Sequence, residues 1–144
     1  MRRILMTLAT AAAASAGLSG CAQTPAQAAA AADRATADRQ GLDRELAGLV
    51  PEKSSGCLNT TETRSGAAVR AYGPTIIYRV SRNLKYRSDT AGGCEGLARG
   101  DTLVTVSPTG QLCRGDIART VDTTQRFQTG TCSFGDFVRY SRPR

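Results

Sequence analysis

The stretch Thr75-Ile76-Ile77-Tyr78-Arg79-Val80-Ser81-Arg82-Asn83-Leu84-Lys85-Tyr86 decides the fold class. Ile76, Tyr78 and Val80 fall at every second position and so share one face of a strand. Leu84 and Tyr86 share a face of the next strand. Ser81-Arg82-Asn83 between them has the composition of a turn. A period of two built from β-branched and aromatic residues predicts paired strands and excludes an amphipathic helix over this stretch.

Toward the C-terminus the same texture continues. Leu103 to Val106 reads as a strand, Ser107-Pro108-Thr109-Gly110 as a turn with Pro and Gly well placed, and Gln111 to Arg114 as the antiparallel return. From Gly56 to Arg144, Thr, Val, Ile, Tyr, Gly and Arg dominate, with Gly-rich turns at the spacing of about 8–12 residues typical of all-β domains. All seven aromatic residues (Tyr72, Tyr78, Tyr86, Phe127, Phe134, Phe137 and Tyr140) lie from Tyr72 onward, so the core belongs there. The expected fold is all-β: a small antiparallel sheet, barrel or sandwich.

Toward the N-terminus the period changes. Leu42, Leu46 and Leu49 stand at i, i+4 and i+7, and Gly48 and Pro51 close the pattern. This predicts a short helix over about Ala28 to Leu49 whose last two turns dock on the domain. Asp33-Arg34, Asp38-Arg39 and Asp43-Arg44 recur every five residues as a solvated face, where exposed pairs contribute only a few tenths of a kcal/mol. Ala22 to Ala32, almost wholly Ala, Gln, Thr and Pro, has nothing with which to build a core and reads as a flexible tether.

The first twenty residues have another character. Arg2 and Arg3 precede an uncharged apolar run from Ile4 to Gly17, too short for a stable membrane span and matching the h-region of a secretory signal. Leu18-Ser19-Gly20-Cys21 comes next and resembles the lipobox of bacterial lipoprotein precursors. That resemblance implies cleavage before Cys21, a diacylglyceryl group on its thiol and acylation of the freed amine. The rival is an ordinary signal cut at Ala26-Gln27-Ala28; small residues at Ser19 and Gly20, at the right distance from the charged start, favour the lipobox. Ala22, rather than Asp, after the cysteine implies sorting to the outer membrane, facing the periplasm, in a Gram-negative host. The expected division is residues 1–20 signal peptide, 21–55 acylated Cys, tether and helix, and 56–144 the β-rich domain with a basic tail.

Cys57, Cys94, Cys113 and Cys132 remain, in a compartment that permits disulfides. Zinc would want a closely spaced Cys pair, yet the nearest two stand nineteen residues apart and the chain contains no His. Redox catalysis would want Cys-x-x-Cys, which does not occur. Two structural disulfides are therefore expected, and three pairings are possible. Cys57–Cys132 with Cys94–Cys113 nested inside is favoured. Cys113 sits on the expected return strand and Cys94 just before the outgoing one, while Cys57 and Cys132 open and close the domain. In the chain-entropy model those loops contribute about 4.5 and 3 kcal/mol.

Around these cysteines, Cys57-Leu58, Cys94-Glu95-Gly96-Leu97, Leu112-Cys113-Arg114-Gly115-Asp116 and Gly130-Thr131-Cys132-Ser133-Phe134-Gly135-Asp136-Phe137 form a pattern. It resembles an uncharacterised family of small exported four-cysteine proteins of Gram-negative bacteria, over about Leu46 to Phe137. The resemblance implies fold and location; the family carries no assigned activity.

Catalytic constellations are scarce. Without His no Ser-His-Asp or Cys-His arrangement can form, and the commonest neutral metal ligand is missing. The β-rich part holds Glu62, Asp89, Glu95, Asp101, Asp116, Asp122 and Asp136, mostly beside Gly, Ser or Thr where a carboxylate caps its own turn. Arg99-Gly100-Asp101 and Arg114-Gly115-Asp116 look like adhesion triplets but read better as turns. No phosphate-binding glycine motif occurs, so no cofactor and no metal are expected, and the chain is read as a non-enzyme.

Charge is the remaining signal. Residues 56–144 carry thirteen Lys or Arg against seven Asp or Glu, a net +6, whereas residues 22–55 carry four against five, a net −1. A basic domain held at a membrane by its lipid suits anionic envelope components or an acidic protein, with nucleic acid in another compartment. The rival origin is genomic base composition, since Arg outnumbers Lys seventeen to two in the whole chain. The expected role is a non-enzymatic binding or structural module of the cell envelope. The alternative is an inhibitor of a periplasmic or invading enzyme, presenting the Arg82-Asn83 or Arg99 turn.

Overall fold

The structure, a computed structural model, describes residues 23–63 and 67–143. It is mostly β. The strands are β1 Val50–Ser55, β2 Cys57–Asn59, β3 Ala68–Tyr72, β4 Thr75–Arg79, β5 Leu84–Asp89, β6 Ala91–Gly92, β7 Thr102–Thr105, β8 Gln111–Cys113, β9 Ile117–Asp122, β10 Phe127–Ser133 and β11 Phe137–Ser141. A long helix α1, Pro25–Leu46, precedes them; a single helical turn, α2 Thr60–Thr63, and a 3-10 helix, Glu95–Arg99, are inserted between strands. All pairings are antiparallel. A five-stranded sheet runs β1-β11-β5-β4-β3, a four-stranded sheet β6-β10-β9-β7, and β2 and β8 form a two-stranded ribbon.

The expected hairpin is present: β4 and β5 pair with Tyr78 opposite Tyr86, joined through a turn in which Val80 and Ser81 both donate to the Leu84 carbonyl. One core gathers side chains from all three sheets. Ala71, Ile76, Tyr78, Tyr86 and Phe137 come from the five-stranded sheet, Ala118 and Cys132 from the four-stranded one, and Leu58 and Leu112 from the ribbon; Cys94, Leu97 and Phe134 complete it. Phe134 leans on Phe137 at 5.4 Å between ring centroids and on Tyr78 at 6.4 Å, the tilted geometry aromatic pairs prefer. The strand face opposite Ile76 and Tyr78 is also covered: Ile77 has no exposed surface.

Three sequence expectations give way to the observed fold. The Ala-rich stretch expected to be a flexible tether is helical from Pro25, because Thr24 and Gln27 close a capping box. Gln27 N–H donates to Thr24 Oγ1 at 3.2 Å, and Thr24 N–H to Gln27 Oε1 at 2.9 Å. Alanine has the strongest intrinsic helix preference, so a run of it behind a capping box propagates a helix without needing a core. The helix, Pro25–Leu46, is as long as the expected Ala28 to Leu49 but begins and ends three residues earlier. Second, the sheet starts at Val50 and not at Gly56, since β1 pairs with β11. Third, β8 does not return beside β7. The turn at Ser107–Gly110 forms, with Gly110 N–H donating to the Ser107 carbonyl, but β7 pairs with β9 and β8 with β2.

That last difference rewrites the disulfides. Cys57–Cys132 and Cys94–Cys113 are replaced by Cys57–Cys113 and Cys94–Cys132. Cys57 and Cys113 stand directly opposite each other in the β2–β8 ribbon, with α-carbons 4.0 Å apart. Cys94 lies just past β6, whose Gly92 faces Cys132 on β10, and those α-carbons are 5.5 Å apart. Both separations lie within the reach of a bridge. First and last strands do meet, as β1 and β11, but Cys57 lies past Gly56 on the strand that leaves that sheet. The loops overlap instead of nesting, and with separations of 56 and 38 residues each is worth about 4 kcal/mol in the chain-entropy model.

Candidate functional site

The residues expected to carry the lipid, Cys21 and the signal peptide before it, lie outside the described residues. From Pro25 to Ala37 every residue of α1 is exposed, and contact begins at Asp38. Asp38, Gly41, Leu42, Glu45 and Leu46, one stripe at helical spacing, are half-buried on the outer face of the five-stranded sheet. Leu42 and Leu46 thus lie in the half-buried stripe as expected, whereas Leu49 falls past the end of the helix; the sequence signal concealed that Glu45 sits in the same stripe.

Glu45 is the most interlocked side chain there, at 7 % exposure. It accepts from Arg79 Nε at 2.7 Å and Tyr72 Oη at 2.8 Å, pairs with Lys85 Nζ at 2.6 Å, and is also bound by Arg79 Nη2. Burial alone would push its carboxyl up, but the bonds from Arg79, Lys85 and Tyr72 and the Lys85 charge hold it down at about 2. Burial, followed by the Glu45 carboxylate, pushes the Tyr72 hydroxyl up. Gly41 is required by this packing, since a β-carbon there would lie 2.8 Å from the Tyr72 ring. The cluster clamps helix to sheet, with Glu45 buried at its centre and Arg79 partly open to solvent.

Two concavities open elsewhere. The first, of about 260 Å³, lies where β1, β2, β5 and β11 converge on α2. Buried Leu58, Tyr86 and Phe137 form its floor, and Glu52, Lys53, Asn59, Glu62 and Arg139 its walls. Tyr86 Oη donates to Glu62, and Arg139 Nη1 bonds both oxygens of Glu52 at 2.7 and 2.8 Å. Its size falls below the roughly 300–1,000 Å³ of small-molecule sites, and Glu52 and Arg139 in its walls are paired with each other. Glu52 falls outside the carboxylates expected of the β domain, because the sequence boundary at Gly56 excludes it.

The second, of about 310 Å³, lies on the outer face of the four-stranded sheet, lined by Val104, Val106, Asp116, Ile117 and Arg119. Val104, Val106 and Ile117 are 44 %, 75 % and 54 % exposed. They are solvent-facing because β7 and β9 alternate: Leu103, Ala118 and Thr120 turn inward and their neighbours outward.

The remaining expected carboxylates are occupied in structure. Asp116 accepts from the Cys113 N–H at 2.8 Å, and Asp122 from the Thr124 and Gln125 N–H groups at 2.8 and 2.9 Å, both closing turns. Asp89 takes the Thr75 hydroxyl at 2.6 Å and the Arg87 fork at 3.0 Å; Asp101 takes the Thr129 hydroxyl; Asp136 pairs with Arg114 at 3.2 Å. Glu95 opens the 3-10 helix at the surface. Both Arg-Gly-Asp triplets are turns in which Gly100 and Gly115 have positive φ and the aspartate points back into the protein. Among the described residues no group of three or more His, Cys, Asp or Glu is placed to hold a metal. No protein family, curated protein or solved structure matches the chain.

Proposed function

We propose that this chain is a lipid-anchored protein of the bacterial cell envelope, a non-enzymatic binding module. In this reading residues 1–20 are removed, Cys21 carries the lipid, and the outer membrane presents the domain to the periplasm. The observation that carries it is the stretch joining lipobox to domain. A capped helix starts at Pro25, four residues after Cys21, and stands clear of the domain until Asp38. At about 1.5 Å per residue its exposed part is a stalk about 20 Å long. A stalk that begins four residues after an acylated cysteine sets a small domain off from a membrane. Two or more acyl chains are needed for stable anchoring at about 0.8 kcal/mol per buried methylene, and an acylated lipobox cysteine supplies them.

A binding role fits the surface better than catalysis does. The domain's net charge of +6 suits an anionic envelope component or an acidic protein, whereas its carboxylates are tied into turns and ion pairs. Cys21→Ala should abolish labelling by a palmitate analogue and move the protein from the membrane to the soluble fraction. Labelling that survives the substitution would defeat the anchor.

A further inference from the structure

A β-sheet exposes unpaired N–H and C=O groups along its edges, and natural proteins blunt such edges with proline, charge, bulges, short strands or a covering element. Among the described residues the two larger sheets have four edges, and three are blunted. Strand β1 carries Pro51, Glu52 and Lys53 and a register shift between Pro51 and Ser54. Strand β3 is packed by the 3-10 helix Glu95–Arg99. Strand β6 is only two residues long. The fourth, β7, carries no proline, no charge and no register shift, and the 3-10 helix that packs on β3 also touches it. Its sequence Thr102-Leu103-Val104-Thr105, continuing to Val106, has no charge and no proline and is β-branched at four of five positions. Its one partner among the described residues is β9.

The open edge borders the exposed apolar face of the four-stranded sheet. Val104 lies opposite Arg119 in the β7–β9 register, and Arg119 is exposed and has no carboxylate partner among the described residues. We propose that the free edge of β7, with Val104, Val106, Ile117 and Arg119 beside it, docks an extended strand from an acidic partner protein. The inference rests on the reading of the chain as a binding module and names its partner class. Main-chain bonds along β7 supply affinity, and alternate side chains of the added strand meet the two valines and Ile117. A carboxylate on that strand meets Arg119 across Val104. Charge decides between occupants. A second copy would bring two domains of net +6 together, whereas an acidic chain is attracted to the domain as a whole and finds Arg119, beside Asp116, as the cation of the strip.

The test uses the full-length, oxidised protein in detergent and fluorescein-labelled octapeptides in which Thr fills one strand face and Val alternates with Glu, or with Lys, along the other. The Val-Glu peptide is expected to bind at least tenfold more tightly than the Val-Lys peptide, and to protect the backbone amides of residues 102–106 from hydrogen exchange in the unmodified protein. Val104→Lys should weaken binding at least tenfold, and Arg119→Glu should reverse the preference between peptides. Equal binding of both peptides, no protection at 102–106, or indifference to Val104→Lys overturns the proposal. So does light scattering that finds a dimer abolished by Val104→Lys, because the occupant is then a second copy. Loss of membrane attachment in the Cys21→Ala protein leaves these titrations unchanged, so the anchor and the docking edge fail separately.

Discussion

The outer face of the five-stranded sheet lies under α1, with Ile77 fully covered and Glu45 locked among Tyr72, Arg79 and Lys85. The outer face of the four-stranded sheet carries Val104, Val106 and Ile117 in the open. The contrast extends to how each half is held. No strand of the five-stranded sheet contains a cysteine, while Cys132 lies within the four-stranded sheet and Cys94 beside it. One half depends on a charge cluster and the other on a covalent bridge. They should therefore yield to different insults: the first to acid, the second to loss of the bridge.

The largest effect is expected from the bridge. Replacing Cys94 and Cys132 together by Ala removes a constraint worth about 4 kcal/mol. It also trims two side chains that are each 2 % exposed in the core, adding the cost of small cavities. Cys57→Ala with Cys113→Ala removes a longer loop, 56 residues against 38, but from half-exposed positions. Denaturant unfolding should rank the Cys94–Cys132 loss as the more severe despite its shorter loop. The opposite ranking would mean that loop length, rather than burial in the four-stranded half, sets the contribution.

The second effect belongs to Glu45. A folded-state value of about 2 against an unfolded value of about 4.3 makes the ionised carboxylate worth about 3 kcal/mol at neutral pH. Because the folded value is the lower one, that stability is complete above about pH 5 and is lost as pH falls toward 2. Glu45→Gln keeps the shape and removes the charge. It should cost most of this amount at pH 7, and the gap from the unsubstituted protein should close by pH 2. A gap independent of pH would show that helix docking rests on the leucine stripe alone.

These two devices were unequally legible in the sequence. The strand pair at Thr75–Tyr86 and the Leu42/Leu46/Leu49 stripe could be read because each repeats at the period of its element. Glu45 could not, since a charge inside an apolar stripe has no local signature; its partners come from strands 27 to 40 residues away. β1 escaped for a related reason. As an edge strand exposed along its whole length it shows no alternation, and it reads as linker. The disulfide pairing failed on a hairpin rule: a Pro-Gly turn ordinarily joins neighbours, but β8 crosses to β2, and register between distant strands is set by the tertiary fold. Gly130 shows the same point, since the Gly93 carbonyl approaches it so closely that a β-carbon there would collide with that oxygen. The cavity walled by Glu52 and Glu62 was lost with the misplaced boundary at Gly56.

The smallest effect sharpens the contrast between the outer faces. Val106 is 75 % exposed, immediately beyond β7. Threonine has nearly the same shape and a comparable preference for extended backbone. Val106→Thr should therefore change stability by no more than about 0.5 kcal/mol, the usual range for surface substitutions. Ile77 also faces outward from its sheet, yet it is fully covered, so truncating it to Ala should fall in the range of about 2–5 kcal/mol typical of core sites. Matched thermal unfolding of the two variants tests whether the face beside β7 contributes to folding. A cost above about 1 kcal/mol at Val106 would mean that the valine is already packed in the isolated protein. An unchanged melting temperature, combined with weaker binding of the Val-Glu peptide, would place its role in recognition, because only a residue idle in folding can lose binding without losing stability.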